Sequence, residues 1–342
     1  MERSLNRWAC RTICIMILTL LSRASSLAQQ PLAPAPAPPG TLVDIGGQRL
    51  HLNCTGQGSP TVLLESGTGD VSVIWSLVQP GVSAFTRVCS YDRGGYAWSD
   101  PGTRPRTFAQ LALELHQALA ILHIGPPYIV VGQSYGGLAI RGFAARYRSE
   151  VLGAVMVDAV HEDQQVVYGG QPHRIRDSAK GRPFPAPQIR LDSEMLRSAQ
   201  AKAAATEQPV EPPLDRLPTN AQRIWRWANT QPLLEMAQQA ELDWSPEELA
   251  LLHESRLKDR ATLGDIPLLV LARTRGGYPD GMSVSAEALE RERKELQSDL
   301  AHLSRRGKLV YAVNSGHNIH LEDPGLVIRS IREVVEMARA RR

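Results

Sequence analysis

Residues 128–137 read Tyr-Ile-Val-Val-Gly-Gln-Ser-Tyr-Gly-Gly, and this stretch decides the fold. The apolar run Tyr128–Val131 is typical of a buried strand, and a helical pattern follows the Gly-x-Ser-x-Gly motif centred on Ser134. A chain that passes from strand to helix here must fold back sharply, so a side chain at Gly132 or Gly136 would collide with the backbone. The turn lifts the Ser134 hydroxyl clear of the sheet, at the positive end of the following helix. This arrangement predicts a nucleophilic serine.

Outward from this motif, short β-branched runs alternate with helical segments, which indicates an α/β fold with a mostly parallel sheet. Eight strands are predicted, over Thr41–Ile45, Arg49–Cys54, Thr61–Glu65, Thr86–Tyr91, Tyr128–Val131, Leu152–Val157, Pro267–Ala272 and Lys308–Val313. The Gly46-Gly47 pair between the first two strands is typical of a hairpin turn. Apolar residues at helical spacing predict helices over Phe108–Leu122, Tyr135–Arg148 and Pro324–Arg341.

Residues 161–263 break this alternation. They show no strand pattern, prolines cluster between Pro172 and Pro218, and the helical pieces carry Trp225, Trp227 and Trp244. About a hundred residues are too many for a connecting loop, so we expect an inserted helical cap subdomain. It would separate a first part of the core, residues 41–160, from a second part, residues 264–342.

The N-terminus has the pattern of an export signal. A basic stretch, Arg3–Arg11, precedes the apolar run Ile13–Leu21, and the small residues Ser26 and Ala28 follow at cleavage spacing. The apolar run is far shorter than the roughly 20 residues that span a bilayer. We therefore expect a signal peptide over residues 1–28, cleaved after Ala28, and a periplasmic or secreted protein; the alternative is an uncleaved N-terminal membrane anchor.

The segment after the predicted signal peptide, residues 29–40, contains the run PLAPAPAPPG and is predicted to be an extended, solvated linker. Cleavage would leave only Cys54 and Cys89 in the mature chain. An even pair of cysteines in an oxidising compartment favours a disulfide, with two buried thiols as the alternative.

Composition excludes several classes of function. The 342 residues are 43% hydrophobic and 21% charged, which is typical of a globular protein rather than a disordered one. The formal charge of +3 lies entirely in residues 1–28, and there is no Lys/Arg run that could follow a nucleic-acid backbone. No Cys/His cluster with metal-ligand spacing, phosphate-binding glycine loop or dinucleotide fingerprint is present, so we expect neither a metal nor another cofactor.

From residue 42 to the C-terminus the sequence resembles the α/β-hydrolase family, and in particular its exported, esterase-like members. The resemblance rests on the Ser134 motif and on four further segments: Glu65-Ser66-Gly67-Thr68-Gly69, Tyr91-Asp92-Arg93-Gly94-Gly95-Tyr96-Ala97-Trp98-Ser99, Ser315-Gly316-His317 and Glu322-Asp323-Pro324. It implies an eight-stranded sheet flanked by helices. It also implies that the strands carrying Cys54 and Cys89 are neighbours. Asp92 and Arg93 are expected to form a structural ion pair that organises the loop after strand 4 rather than to act in catalysis.

The resemblance also supplies candidates for the base and the acid that a serine nucleophile needs. His317, in the loop after the last strand, stands where the family has its base; His320 is a rival that more simply reads as a packing residue. For the acid, the commoner family position after strand 7 offers no carboxylate before Asp280. Asp158, at the end of strand 6, matches the haloalkane-dehalogenase-like branch and is the preferred candidate, with Asp280 as the alternative.

Acyl transfer further needs donors for the developing oxyanion. One is expected to be the backbone amide of Tyr135, directly after the nucleophile. The second is expected from the loop after strand 3, at Thr68 or alternatively at Gly67.

These expectations together describe a serine hydrolase that cleaves carboxylic esters of small to medium, partly apolar molecules through an acyl-enzyme. The alternatives are an aminopeptidase or amidase of the proline-iminopeptidase type, an acyltransferase, and a non-catalytic binding protein of the same fold. The amine-binding alternatives need acidic groups in the cap, and Glu247, Glu248 and Glu254 resemble a solvated helical face instead. The expected partner is a small-molecule ester, with no nucleic acid and no stable membrane partner beyond export.

Overall fold

The computed structural model describes residues 35–168, 171–186, 189–190, 210–278 and 284–341. Three predictions therefore lie outside the described residues: the signal peptide, the first part of the linker, and Asp280.

The core is one eight-stranded sheet, and every predicted strand is found in it. The strands are β1 (Thr41–Asp44), β2 (Arg49–Thr55), β3 (Thr61–Glu65), β4 (Val88–Asp92), β5 (Tyr128–Gln133), β6 (Val151–Val157), β7 (Leu268–Arg273) and β8 (Gly307–Ala312). Their order across the sheet is β1-β2-β4-β3-β5-β6-β7-β8. The β1–β2 and β2–β4 pairs are antiparallel and all other pairs are parallel. The carboxyl ends of β3 to β8 consequently meet along one edge of the sheet.

Alternation of side chains along the strands builds a hydrophobic layer on each face of the sheet. Leu64, Val131 and Val157 belong to the layer on one face. Their chain neighbours Leu63 and Val130 belong to the layer on the other. Because both faces are covered, the central strands are apolar throughout, which explains why simple apolar runs sufficed to predict them.

The helices flank this sheet and form the insertion. In the described residues they are α1 (Gln79–Ser83), α2 (Phe108–Ile121), α3 (Gly136–Arg146), α4 (Thr219–Asn229), α5 (Pro232–Asp243), α6 (Ser245–Lys258), α7 (Ala286–Ala301), α8 (Ile319–Glu322) and α9 (Pro324–Arg339). Helix α9 packs on the face that carries Leu64. Helices α2 and α3 pack on the opposite face.

In the described parts of residues 161–263 the three longest elements are α4, α5 and α6, in keeping with a helical cap. The expectation that this region has no strands was wrong. Gln165–Tyr168 and Gln171–Arg174 form an antiparallel hairpin, and Ile189–Arg190 pairs with Thr103–Arg104 of the core. These strands are two to four residues long, too short for a periodic pattern to reveal.

The N-terminal part of the core is cross-linked. Cys54 of β2 and Cys89 of β4 lie directly opposite each other and form the expected disulfide, with 4.0 Å between their Cα atoms. The end of the predicted linker is less solvated than expected, because Pro36 is buried and its carbonyl accepts a hydrogen bond of 2.7 Å from the Trp98 indole. Within the described ranges, none of the helices combines the length and the apolar character that crossing a bilayer requires.

Candidate active site

Ser134 sits in a tight turn between β5 and α3. Its backbone has φ = +53°, a left-handed conformation that is costly for a residue with a side chain. The Ser134 amide donates to the Val157 carbonyl at 3.2 Å, and the Ser134 carbonyl accepts from Gly137 and Val160 at 3.0 Å each. Strands β5 and β6, helix α3 and the segment after β6 therefore hold the serine in this strained position.

The two glycines of the motif are required by close backbone contacts. A side chain at Gly132 would overlap the carbonyl of Gly136, and a Cβ at Gly136 would lie 2.5 Å from the carbonyl oxygen of Glu65. The prediction that a Cβ at either position would collide with the backbone is thus confirmed.

Asp158 follows β6 directly and also has a left-handed backbone, with φ = +40°. Its side chain is 3% exposed, and its Oδ2 lies 2.7 Å from Nδ1 of His317. The other oxygen, Oδ1, accepts from Arg293 Nη1 at 2.9 Å and from the Arg273 amide at 3.1 Å. Burial would raise the pKa of Asp158, but the hydrogen bond and charge of His317 and the charge of Arg293 outweigh it and hold that pKa below its ordinary value.

The structure thus brings together two of the predicted residues, Asp158 and His317. Because Nδ1 of His317 donates to Asp158, its Nε2 carries the lone pair that a general base needs. In the described part of the chain, the hydrogen-bond partner of Nε2 is the side-chain amide of Gln133, at 3.3 Å, and not the Ser134 hydroxyl. Gln133 precedes the serine in the motif, so the imidazole lies beside the nucleophile's turn.

His320, the rival base, lies in α8 and is fully buried. Burial, with a smaller contribution from His317, lowers the pKa of His320 to about 3. Its ring centroid is 4.9 Å from that of Trp75, and neither ring nitrogen has a partner among the described residues. These contacts agree with its interpretation as a packing residue.

The backbone amides expected to bind an oxyanion have no backbone partner among the described residues. In the parts of the chain that are described, the amides of Tyr135, Gly67 and Thr68 donate no backbone or side-chain hydrogen bond. The carbonyls of Ser66 and Gly67 accept from Arg93, at 2.8 and 3.0 Å. In a trans peptide the amide points opposite to the carbonyl, so this contact turns the next two amides away from Arg93.

Arg93 itself joins the core to the insertion. It is 2% exposed and donates to Glu65 at 2.7 Å and to Glu241 of α5 at 2.8 Å. The expectation of an Asp92–Arg93 ion pair was wrong. Asp92 instead holds His51 Nδ1 at 2.7 Å and the Ser72 amide at 2.6 Å. The two side chains point to different partners because adjacent residues at the end of a strand face opposite sides of the sheet.

The prediction that three glutamates of α6 form a solvated face was also wrong for two of them. Glu254 is exposed, but Glu247 and Glu248 are 6% and 5% exposed. Glu247 pairs with Arg182 at 2.8 Å, and both oxygens of Glu248 accept from the Phe108 amide at the start of α2. Burial raises the pKa of Glu248 to about 8, against the effect of the Phe108 amide.

The sequence did not single out three side chains at this site: Gln133, Asp70 and Arg293. Gln133 could have been found as the variable position before the serine, and Asp70 as the acid that ends the glycine-containing loop after β3. Arg293 stands in the charged run Glu-Arg-Glu-Arg-Lys-Glu of α7, where no local signal distinguishes it from its neighbours.

Across the described ranges, no group of three or more His, Cys, Asp or Glu side chains is arranged to hold a metal ion.

Comparison with known proteins agrees with this architecture. Residues 60–324 match the family model described as alpha/beta hydrolase fold. The sequence is 27% identical over 334 residues to "Probable transporter efuK" of Hormonema carpetanum, covering 88% of this chain but 43% of that protein. The chain thus spans less than half the length of this relative.

Solved structures give the same fold. A thermophilic esterase from Thermogutta terrifontis superposes with a TM-score of 0.56 at 18% identity, covering 87% of this chain and 97% of that one. The meta-cleavage product hydrolase from Pseudomonas fluorescens IP01 superposes with a TM-score of 0.55 at 20% identity, covering 86% and 98%. With the family model matching well over half of its length, the chain belongs to the alpha/beta hydrolase fold family.

Proposed function

We propose that this protein is a serine hydrolase that cleaves carboxylic esters of small to medium, partly apolar molecules through an acyl-enzyme. The observation that carries the proposal is the buried Asp158 carboxylate 2.7 Å from His317 Nδ1, with the opposite ring nitrogen directed at the turn that presents Ser134. An imidazole held in this tautomer can take a proton from a serine hydroxyl.

In the first half of the reaction, the Ser134 hydroxyl displaces Gln133 as the partner of His317 Nε2. Ser134 Oγ then attacks the ester carbonyl while its proton passes to Nε2, and Asp158 stabilises the imidazolium. The amide of Tyr135 and that of Thr68 or Gly67 donate to the oxyanion. Collapse of the intermediate breaks the carbon–oxygen bond of the ester, and His317 gives its proton to the departing alcohol.

In the second half, a water molecule attacks the acyl-enzyme. His317 takes the proton of that water and returns it to Ser134 Oγ as the acid product leaves. Two observations support the amide roles: these amides have no partners among the described residues, and Arg93 orients two of them.

The proposal is tested by labelling the purified protein with a fluorophosphonate probe and by assaying p-nitrophenyl esters of increasing chain length. We expect labelling and ester turnover in the wild type and loss of both in Ser134→Ala. Aminoacyl anilides, assayed beside the esters, measure amidase activity. Absence of labelling in the wild type, or equal labelling of Ser134→Ala, overturns the serine mechanism.

We further propose that the protein is exported after cleavage near Ala28. The Cys54–Cys89 disulfide supports this, since such bonds persist in oxidising compartments. N-terminal sequencing of the protein from the periplasm or medium is expected to begin at residue 29. Recovery of the uncleaved chain in a membrane fraction would favour the anchor instead.

A further inference from the structure

A second carboxylate lies beside the candidate nucleophile. Asp70 Oδ2 and the Cβ of Ser134 are 3.4 and 3.2 Å from one point, the position that a Cβ on Gly67 would occupy. The side-chain oxygen of Gln133 lies 2.5 Å from the same point. Asp70 is thus a close neighbour of the reacting serine, although the mechanism above gives it no task.

The Asp70 carboxylate has no cationic side chain of its own. In the ranges the structure describes, it forms no ion pair, the Trp225 indole is the side-chain donor beside it, and its backbone amide donates to the Gly67 carbonyl. Burial raises the pKa of Asp70, and His317, the Trp225 indole and Arg93 act against that effect. A partly buried carboxylate without an ion-pair partner is unfavourable, so an incoming positive group would be stabilised there.

The charges around Asp70 leave an excess of acid. Arg93, whose charge acts on Asp70, is already engaged by Glu65 and Glu241. Among the described residues, Oε1 of Gln133 is buried without a hydrogen-bond partner, on a side chain that is 1% exposed. A carboxylate, an amide oxygen and an aromatic ring are together complementary to an ammonium group.

The position of Asp70 also works against neutral esters. Negative charge develops on the carbonyl oxygen during attack by Ser134, and a fixed anion nearby raises the energy of that state. A substrate that carries a positive charge next to the scissile carbonyl cancels this penalty. Asp70 therefore favours substrates that carry such a positive charge and slows the hydrolysis of substrates that lack it.

We propose that Asp70 is a specificity-determining residue, which selects esters carrying a protonated amino group within a few bonds of the scissile carbonyl. This inference rests on the proposed ester hydrolysis and names its substrate class. The amino group would donate to Asp70 and lie against Trp225, while Ser134 attacks the carbonyl beside it.

The test uses pairs of esters with matched shape. On the acyl side, the p-nitrophenyl ester of alanine is compared with that of isobutyric acid, in which a methyl group replaces the ammonium. On the alcohol side, 2-aminoethyl butyrate is compared with propyl butyrate. The value of kcat/KM is measured for the wild type, Asp70→Asn and Glu333→Gln, which removes one charge from an exposed position of α9.

We expect the wild type to prefer the amino member of at least one pair by about 10- to 100-fold, as a charged hydrogen bond provides. Asp70→Asn should lose this preference and at the same time hydrolyse the neutral member severalfold faster. Glu333→Gln should keep the wild-type preference. A purely structural role of Asp70 would not remove the preference and at the same time accelerate hydrolysis of the neutral ester. Melting temperatures check that each variant is folded.

Turnover of the neutral esters without any amino preference in the wild type overturns the role of Asp70 and leaves ester hydrolysis standing. A preference that persists in Asp70→Asn also overturns it. Absence of turnover with every ester, together with absence of fluorophosphonate labelling, overturns both proposals.

Discussion

The contact between Asp158 and His317 makes a sharp prediction about single side chains. Asp158→Asn keeps the shape of the side chain but removes the charge that fixes the imidazole, so we expect kcat for an ester to fall by about 10³- to 10⁴-fold. The pKa of Asp158 lies below its ordinary value, so the residue is ionised throughout neutral pH and the loss should not depend on pH there. Steady-state kinetics at several pH values measure this.

Asp280→Asn is the matched control for that prediction, because Asp280 is the alternative acid of the sequence and lies outside the described residues. We expect it to change kcat by less than about twofold, because Asp158 already supplies the carboxylate that contacts His317. The reverse result, with Asp280→Asn inactive and Asp158→Asn active, would assign the acid to the loop after β7.

Gln133 offers a second prediction, because its amide holds His317 Nε2 in the resting site. Ser134 must replace that hydrogen bond before it can react, at a cost of about 1 kcal/mol or about fivefold in rate. Gln133→Leu, of similar volume, should therefore raise the second-order rate of fluorophosphonate labelling by about that factor. A slower rate in a variant with an unchanged melting temperature would instead make Gln133 a residue that positions the imidazole.

Among whole elements, the contact of α5 with the loop after β3 runs through Arg93. Glu241 is fully buried, and removing its charge by Glu241→Gln leaves Arg93 with Glu65 as its ion-pair partner among the described residues. We expect a loss of about 3 kcal/mol in the free energy of unfolding and at least a tenfold lower kcat/KM, because Arg93 also orients the Gly67 carbonyl. Thermal melting and ester kinetics measure the two effects.

Glu235→Gln is the control on the same helix, since Glu235 is exposed in the first turn of α5. It should leave both quantities near their wild-type values. If Glu241→Gln melts like the wild type and keeps full activity, the Arg93 contact does not couple α5 to the site.

The elements themselves were largely predictable from the sequence, whereas the contacts between them were not. The central sheet strands are mostly apolar runs a few residues long and the Gly46-Gly47 turn marks the first two, so local sequence located all eight. Asp158 was found because it directly follows one of them. The partner of Arg93, by contrast, is 148 residues away. Glu248 reads as solvated because it is a charged residue beside a second one, Glu247, and only the fold brings it to Phe108. Buried polar pairs depend on tertiary structure, which no local pattern encodes.

For the molecule as a whole, Glu248 connects pH to stability. Its pKa is about 8 in the folded chain, against 4.5 ordinarily, because burial penalises the charged form. Between these values the folded state binds more protons than the unfolded state, so the free energy of unfolding falls as pH rises from about 4.5 to 8 and levels off above. The stabilisation that Glu248 contributes is thus fully present below its ordinary pKa of 4.5. It is lost as the pH rises through the folded-state pKa of about 8.

Glu248→Gln removes this titration and keeps an acceptor for the Phe108 amide. We expect the variant to gain melting temperature relative to the wild type between pH 5 and pH 8.5, by about 2 to 4 °C for each kcal/mol that the wild type loses. Glu254→Gln, on the exposed side of the same helix, should follow the wild-type pH dependence. Since α6 belongs to the insertion and α2 to the core, a wild-type pH slope retained in Glu248→Gln would mean that the carboxylate is hydrated and that the insertion is held to the core elsewhere.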